Sequence, residues 1–413
     1  MPKPMPGSST GLPAQLLGAR RFPTGQQGLS QGIQSLSTGL SRADGDNCRF
    51  RFRAARLSAF LKLHRQRTMS RIKAIAPLGQ QIWLDNLTRQ MLDSGELARW
   101  IDEDGIAGVT SNPAIFHNAI KTDPAYQNAI TALRATGMTA EERFEALVLP
   151  DIQRACDLLR PCHEASDGRS GFVSFEVSPA LADDAAGTLA AAQRLWAAID
   201  RPNAMIKIPA TAAGRQAICG AIAAGINVNV TLIFSPAQLS AVQAAYRQGI
   251  ERRFAAGLPV DRIASVASVF ISRLDTLLDP ELTAGQLGKT AIAFARAAYA
   301  EWQHLPVLPG NARQQTLLWA STSAKNPAYR DVVYVEQLIG SDTVNTVPDV
   351  TLAAFRDHGE AAPTLANDLQ GSQAHLAALA ARGINLDASG EALQEAGLKQ
   401  FAEAFAKLLV LVA

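Results

Sequence analysis

A lysine in an almost wholly apolar segment is the first candidate for chemistry. Lys207 lies in the run Asn203-Ala-Met-Ile-Lys-Ile-Pro209. Burial disfavours a charged ammonium, so a lysine in such a run is held partly as the free amine. A free amine in a carbonyl-binding pocket is a nucleophile that forms a Schiff base. The alternative is a structural lysine that only pairs with Glu176 or Asp85.

Two carboxylates could perform the proton transfers that such a lysine needs. Schiff-base formation requires an acid to expel water from the carbinolamine, and carbon–carbon cleavage requires a base to accept a hydroxyl proton. Glu176 and Asp85 end two separate apolar segments and could divide these tasks if their environments differ. The alternative is that one of them only neutralises Lys207.

Neutral and basic side chains complete the candidate site. Asn112 and Asn229 can bind substrate hydroxyls, although Asn112, which precedes a proline, could instead cap loop backbone. Arg273 and Lys325 follow two later apolar segments, and a helix predicted to open near Pro327 would favour phosphate at its N-terminus. Each basic residue alone is more often an ordinary surface charge, but their shared position on one rim of the barrel favours a phosphate site.

The elements that must position these residues alternate along the chain. Eight short apolar segments are predicted strands: 81–86, 106–111, 172–177, 204–208, 227–234, 263–270, 316–321 and 343–347. Helical patterns are clearest at 140–159, 184–199, 236–255, 287–302, 327–339 and 349–358, with additional C-terminal helices at 364–381 and 389–409. This α/β alternation predicts a closed (β/α)8 TIM barrel. An open doubly wound sheet is the alternative, although neither G-x-G-x-x-G nor a Walker A sequence is present.

Polar residues within the predicted strands indicate which face points inward. In residues 226–234, Asn227, Asn229 and Thr231 alternate with apolar side chains. Outer helices would cover the apolar face, so the polar face should point into the barrel. Most of the inward polar groups lie near the carboxyl ends of the strands, where barrel enzymes have their active sites.

The first 68 residues differ in composition from the rest of the 413-residue chain. They contain 11 basic and two acidic residues, a net charge of +9, whereas the remainder carries −7. We expect residues 1–68 to be a disordered basic extension, either upstream of a true start at Met69 or a targeting segment, and 69–413 to be the barrel domain. The acidic body argues against nucleic-acid binding. We expect a cytoplasmic location, or a plastid location if 1–68 is a transit peptide.

Composition excludes several other classes. Four cysteines without C-x-x-C spacing exclude a disulfide scaffold and provide no metal motif. No apolar stretch reaches the roughly 18 residues of a membrane span. None of the six histidines lies in a predicted strand, so a metal-dependent barrel lacks its signature and we expect no metal.

Several motifs together resemble the transaldolase family, over about residues 70–360. The motifs are Trp83-Leu-Asp-Asn86, Gly108-Val-Thr-Ser-Asn-Pro-Ala-Ile-Phe116, Ser174-Phe-Glu-Val-Ser178, Met205-Ile-Lys-Ile-Pro-Ala-Thr211, Asn227-Val-Asn-Val-Thr-Leu-Ile-Phe-Ser235, the loop from Trp319 to Pro327, and Asp342-Thr-Val-Asn-Thr-Val-Pro348, which resembles the longer bacterial and plant subgroup. The resemblance implies three catalytic roles: Lys207 forms the Schiff base, Asp85 deprotonates the C4 hydroxyl, and Glu176 shuttles protons with a water on Thr231. It also implies that Asn112 and Asn229 hold the dihydroxyacetone part. The phosphate would be bound by Ser268, Arg273, Ser321 and Lys325. The better-known subgroup has Arg where Lys325 aligns, so this loop departs from its pattern.

The implied activity belongs to the non-oxidative pentose phosphate pathway. A dihydroxyacetone unit passes from sedoheptulose 7-phosphate to glyceraldehyde 3-phosphate, which gives erythrose 4-phosphate and fructose 6-phosphate without any cofactor. One alternative is a fructose 6-phosphate aldolase-like enzyme, but Glu176, together with Phe270 in place of a hydroxylated aromatic residue, favours transfer. Another is a non-catalytic sugar-phosphate-binding barrel, which the intact set of Asp85, Glu176 and Lys207 disfavours. We expect the protein to be a monomer or a homodimer.

Overall fold

The computed structural model describes residues 70–413, and the extension predicted to be disordered at 1–68 lies outside the described residues. Eight strands occur in the described part of the chain. They are β1 (Gln80–Leu84), β2 (Gly108–Thr110), β3 (Phe172–Glu176), β4 (Ala204–Pro209), β5 (Val228–Ile233), β6 (Ser265–Phe270), β7 (Thr316–Ala320) and β8 (Thr343–Val347). Each lies in a predicted segment or differs from it by one residue at an end.

The strands form a closed parallel barrel in sequence order. Strand β8 returns to β1, with Gln80 opposite Thr343 and Leu84 opposite Val347. All eight pairings are parallel. The predicted (β/α)8 barrel is therefore confirmed, and the open doubly wound alternative is wrong.

Helices follow each strand and surround the barrel. They are α1 (Arg89–Asp93), α2 (Glu96–Asp104), α3 (Pro113–Thr122), α4 (Gln127–Arg134), α5 (Ala140–Ala165), α6 (Ala185–Ile199), α7 (Ala212–Ala224), α8 (Pro236–Ala255), α9 (Ser272–Leu278), α10 (Thr290–Trp302), α11 (Val333–Glu336), α12 (Asp349–His358), α13 (Leu369–Ala381) and α14 (Leu386–Val412). The last two helices come after the final strand, as predicted. No helix within residues 70–413 is long and apolar enough to cross a membrane.

Buried apolar side chains form two layers, one outside the strands of the barrel and one inside them. One layer lies between the strands and the helices and contains outward side chains such as Val228 and Val230 of β5. The other fills the barrel and includes Trp83, Phe172 and Met205. Alternation along each strand sends side chains to the two layers in turn. The inward polar residues at the carboxyl ends of the strands are consequently left to line the site.

The prediction of a helix at 327–339 is wrong for most of that segment. Only Val333–Glu336 is helical there. The Asn326 side chain accepts a hydrogen bond from the Ala328 amide at 2.9 Å, and the Tyr329 amide bonds to the Asn326 carbonyl. An asparagine turn of this kind competes with a helix. No helix begins at Pro327, so the helix N-terminus predicted there does not exist.

Candidate active site

The carboxyl ends of the strands enclose a cavity of about 210 Å³. Ten predicted site residues line it, namely Asp85, Asn112, Lys207, Asn229, Thr231, Ser268, Phe270, Arg273, Ser321 and Lys325. Glu176 is joined to the site by a hydrogen bond from Lys207, which lines the cavity. The structure therefore brings together residues separated by up to 240 positions in the sequence.

Register places three of these residues side by side. Glu176 on β3 lies opposite Lys207 on β4, and Lys207 lies opposite Asn229 on β5. Parallel strands in register direct side chains at matched positions to the same face. The lysine is thereby held between a carboxylate and an amide.

The Lys207 ammonium lies deep in the barrel, and its side chain is only 6% exposed. Its Nζ donates to the Ser111 carbonyl at 3.1 Å and to Glu176 Oε2 at 3.3 Å. Both bonds are longer than the usual charge-assisted distance of about 2.7–2.9 Å. The amine is held in place by acceptors and adjoins a cavity large enough for a small carbonyl compound.

Glu176 has an environment suited to proton transfer near neutrality. Burial raises the pKa of its carboxyl to about 7, against the opposing effect of the Lys207 charge, while the negative charge of Asp85 adds to the rise. A carboxyl with a pKa in this range both donates and accepts protons at physiological pH.

Asp85 follows β1 directly and accepts a hydrogen bond from Thr110 Oγ1 at 2.7 Å. The Thr110 hydroxyl also lies 2.8 Å from Thr346 Oγ1. Asp85 is half-buried, whereas Glu176 is almost fully enclosed. The two carboxylates thus occupy different environments, as a division of acid and base tasks requires.

Polar side chains of three strands are linked across the barrel. Asn229 donates from Nδ2 to Ser174 Oγ at 3.0 Å, and Ser268 donates to Asn229 Oδ1 at 2.7 Å. Ser268 therefore uses its hydroxyl proton to hold the Asn229 side chain in place. Direct contact between Ser268 and the substrate stays a prediction. Thr231 is fully buried, and its Oγ1 has no partner among the described residues.

Asn112 caps helix α3. Its Oδ1 accepts from the amides of Ala114 and Ile115, both at 3.0 Å. The capping interpretation is thus correct for the carbonyl oxygen. The residue also lines the cavity, and within residues 70–413 its Nδ2 group has no hydrogen-bond partner. The amide hydrogens consequently stay available to a ligand.

The basic residues lie at another part of the cavity wall. No hydrogen bond or ion pair joins Arg273 to another side chain in the described part, and burial lowers the pKa of its guanidinium. The guanidinium lies 5.5 Å from the centre of the Phe270 ring. Lys325 is exposed, and Ser321 adopts a left-handed backbone with φ of 55°. A half-buried arginine without a counter-ion favours an anionic ligand.

Comparison with known proteins gives the family. A family model described as transaldolase/fructose-6-phosphate aldolase matches residues 82–412. The chain belongs to this family. The match covers the barrel together with helix α14, so the C-terminal helix is part of what the family shares.

Named relatives within the family are similar over nearly their whole length. A transaldolase of Neisseria gonorrhoeae is 50% identical over 348 residues, which cover 83% of this chain and 99% of the relative. A transaldolase of Thiobacillus denitrificans is 47% identical over 355 residues, with the same coverage. A protein of Streptomyces coelicolor named transaldolase 1 is 41% identical over 360 residues, which cover 84% of this chain and 94% of the relative.

Sequence reasoning did not name six residues that line the cavity of this family member: Thr110, Ala320, Ser323, Thr346, Pro348 and Phe401. Thr110 and Thr346 lie in two predicted strands, and inward alternation could have identified them. Phe401 comes from α14, and its ring centre lies 5.5 Å from Lys207 Nζ. No local signal separates this phenylalanine from others on the same helix. No cluster of His, Cys, Asp or Glu able to hold a metal ion occurs within residues 70–413.

Proposed function

We propose that this protein is a transaldolase that transfers a dihydroxyacetone unit from sedoheptulose 7-phosphate to glyceraldehyde 3-phosphate. The products are erythrose 4-phosphate and fructose 6-phosphate. The main observation in favour is the buried Lys207 amine beside a carboxyl whose pKa is about 7, at the wall of one cavity. Family membership supports the same reaction.

The first step joins the ketose to the enzyme. Lys207 Nζ attacks the ketone carbon, and the carbinolamine that forms must lose its hydroxyl as water. Glu176 supplies the proton for that loss and takes it back when water later hydrolyses the product. The unpartnered Thr231 Oγ1 supports a water held at this point. A buried amine with two acceptors is oriented for repeated attack on the same face.

The second step breaks a carbon–carbon bond. Asp85 accepts the C4 hydroxyl proton, the C3–C4 electrons move into the iminium, and the first aldehyde leaves. The positive nitrogen on Lys207 is the electron sink, so no cofactor is needed. The second aldehyde then reacts with the enamine by the reverse sequence, and Asp85 returns its proton to the new hydroxyl.

Binding groups orient the sugar along the cavity. The free Nδ2 of Asn112 and the fixed amide of Asn229 contact the hydroxyls of the dihydroxyacetone part. Arg273, Ser321 and Lys325 bind the phosphate, and Ser268 contributes by positioning Asn229. Remote phosphate binding provides interaction energy that orients the reacting carbons.

The second candidate is an aldolase that releases free dihydroxyacetone, since the family description includes fructose-6-phosphate aldolase. Glu176 favours transfer, because the resemblance to transaldolases assigns the proton-shuttling carboxyl to this position. Both a monomer and a homodimer agree with the proposal. The relatives named above are bacterial, which supports a cytoplasmic rather than a plastid location.

An acceptor-dependence assay tests the proposal. Purified full-length protein is given fructose 6-phosphate, and glyceraldehyde 3-phosphate release is measured with and without erythrose 4-phosphate. A transaldolase releases it continuously only when the acceptor is present. Equal release without the acceptor would establish the aldolase instead, and no release in either case would reject both enzymes.

A further inference from the structure

The C-terminal helix supplies one wall of the cavity that the eight βα units leave open. Helix α14 places Phe401 among the lining residues, with its ring centre 5.5 Å from Lys207 Nζ. The phenylalanine is only 7% exposed and packs with the apolar side chains inside the barrel. An aromatic face within about 6 Å of a cation attracts it. The nitrogen of a Schiff base on Lys207 would keep its positive charge near this ring.

Close contacts fix α14 against the end of β5. Gln394 Nε2 donates to the Leu232 carbonyl at 2.9 Å, at a residue with a φ of 61°. A Cβ added at Gly390 would lie 2.5 Å from Ser235, and one at Gly397 would lie 2.9 Å from the Leu232 side chain. The helix therefore packs closely on the end of β5, and these contacts at residues 390–397 fix α14 just before Phe401.

The reaction requires one intermediate to survive between two substrates. This requirement follows from the proposed function. After the first aldehyde leaves, the three-carbon enamine stays on Lys207. In transfer, its carbon attacks the acceptor carbonyl carbon, a carbon–carbon bond forms and the new alkoxide takes a proton. In release, one water gives a proton to the same carbon and becomes hydroxide, and a second water adds to the iminium and loses a proton to that hydroxide. The carbinolamine then expels the lysine amine, and free dihydroxyacetone leaves.

The two outcomes differ in the access of water to the enamine carbon. Hydrolysis of the finished product needs a single water. The Thr231 hydroxyl would bind this water, since its Oγ1 is buried and has no partner in the described residues. Any further water near Lys207 serves only release. An apolar ring beside the lysine excludes such water and offers no hydrogen bond to hold it.

We propose that Phe401 is a positioning residue that keeps bulk water from the Lys207-bound enamine and so favours transfer over release. It acts on the fate of the intermediate and not on the first bond-making step. Its loss should therefore leave Schiff-base formation intact while the intermediate becomes prone to hydrolysis.

The test compares release with transfer in the full-length enzyme. Dihydroxyacetone released from fructose 6-phosphate without acceptor is measured against fructose 6-phosphate formed from sedoheptulose 7-phosphate and glyceraldehyde 3-phosphate. In Phe401→Ala the ratio of release to transfer should rise by about tenfold or more, with borohydride trapping on Lys207 retained. Phe401→Leu, which keeps apolar bulk, should stay within about threefold of wild type. Should Phe401→Ala fail to fold, Phe401→Val removes the ring with less loss of volume and carries the same expectation.

Leu408→Ala is the matched control on the same helix. Its side chain is fully buried in the outer layer and does not line the cavity, so the substitution disturbs α14 away from Lys207. Its ratio should equal that of wild type. An unchanged ratio when the Phe401 ring is removed, or an equal rise in Leu408→Ala, would overturn the inference. Wild-type enzyme without any transfer would instead reject the proposed function, and this inference with it.

Discussion

At the scale of single residues, the contact between Lys207 and Glu176 determines the chemistry. The two groups lie 3.3 Å apart and are almost fully enclosed. Desolvation outweighs the lysine charge and raises the pKa of Glu176 to about 7. The carboxyl is thus poised between its two protonation states at the pH where the enzyme would work. A permanently ionised carboxylate could not supply the proton that removes water from the carbinolamine.

The substitution Glu176→Gln should lower kcat by about 10²–10⁴-fold, because the amide cannot exchange protons with the carbinolamine. The pH–rate profile of the wild type should show a limb near pH 7 that the variant lacks. Glu176→Asp, which keeps an ionisable group, is the control and should retain a limb. A wild-type profile that is flat around pH 7, or equal profiles in wild type and Glu176→Gln, would contradict the assignment.

The same pKa predicts a dependence of stability on pH. Folded Glu176 keeps its proton up to about pH 7, whereas in the unfolded chain it ionises near its ordinary value of 4.5. Between these values the folded state binds more protons, so its contribution to stability falls as the pH rises. The free energy of unfolding of Glu176→Gln, relative to wild type, should therefore increase between about pH 5 and about pH 8 in denaturant titrations.

Arg273 gives a second prediction at this scale. Loss of a charge-assisted hydrogen bond of about 1.5–3 kcal/mol in Arg273→Ala should lower kcat/KM for fructose 6-phosphate by roughly 10–100-fold, mainly through KM. Unphosphorylated fructose should be affected little. Lys325→Ala is the comparison, and its exposed position predicts a smaller effect. Equal losses on both sugars would remove Arg273 from phosphate binding.

At the scale of elements, strands were easier to predict than helices. Short apolar runs marked all eight strands, and alternation in β5 correctly directed Asn229 and Thr231 into the site. The helix at 327–339 was wrong because the side chain of Asn326 bonds locally to backbone, a competition that periodicity does not detect. Phe401 escaped notice because its contact with Lys207 spans 194 positions and depends on the packing of α14.

A largely buried ion pair links helices α1 and α5. Arg89 bonds to Asp151 through two contacts of 3.0 and 3.1 Å, and Asp151 is 1% exposed. Asp151→Asn leaves the arginine charge buried without a counter-ion, which should lower the free energy of unfolding by about 3–5 kcal/mol while kcat changes little. Asp157→Asn, which breaks an exposed pair with Arg201, should cost less than about 1 kcal/mol. Urea titrations in which the two variants are equally stable would contradict this account.

At the scale of the whole molecule, the barrel and the C-terminal helix α14 together form the site. The barrel brings lysine, carboxylates and amides to one end through strand register, and α14 closes the cavity beside the lysine. Alternating elements in the sequence were enough to predict the barrel. The closing contact could not be predicted, because it depends on how a helix beyond the last strand folds back. Relatives aligned over 99% of their length cover 83% of this chain.

The extension gives a prediction at this scale. A chain that starts at Met69 should keep kcat/KM within about twofold of the full-length protein, since every site residue lies at or beyond position 85. Steady-state kinetics and thermal unfolding of the two proteins measured side by side provide the check. A loss of activity beyond about tenfold would show that residues 1–68 contribute to the active fold.

The central claim is that Lys207 carries the three-carbon unit as a Schiff base. The most direct measurement is borohydride reduction of the full-length protein in the presence of fructose 6-phosphate, followed by peptide mass mapping. We expect one reduced dihydroxyacetone unit on the peptide that contains Lys207, and none anywhere in Lys207→Ala. A unit attached to a different lysine, or an unmodified wild-type protein that still turns over substrate, would contradict the account.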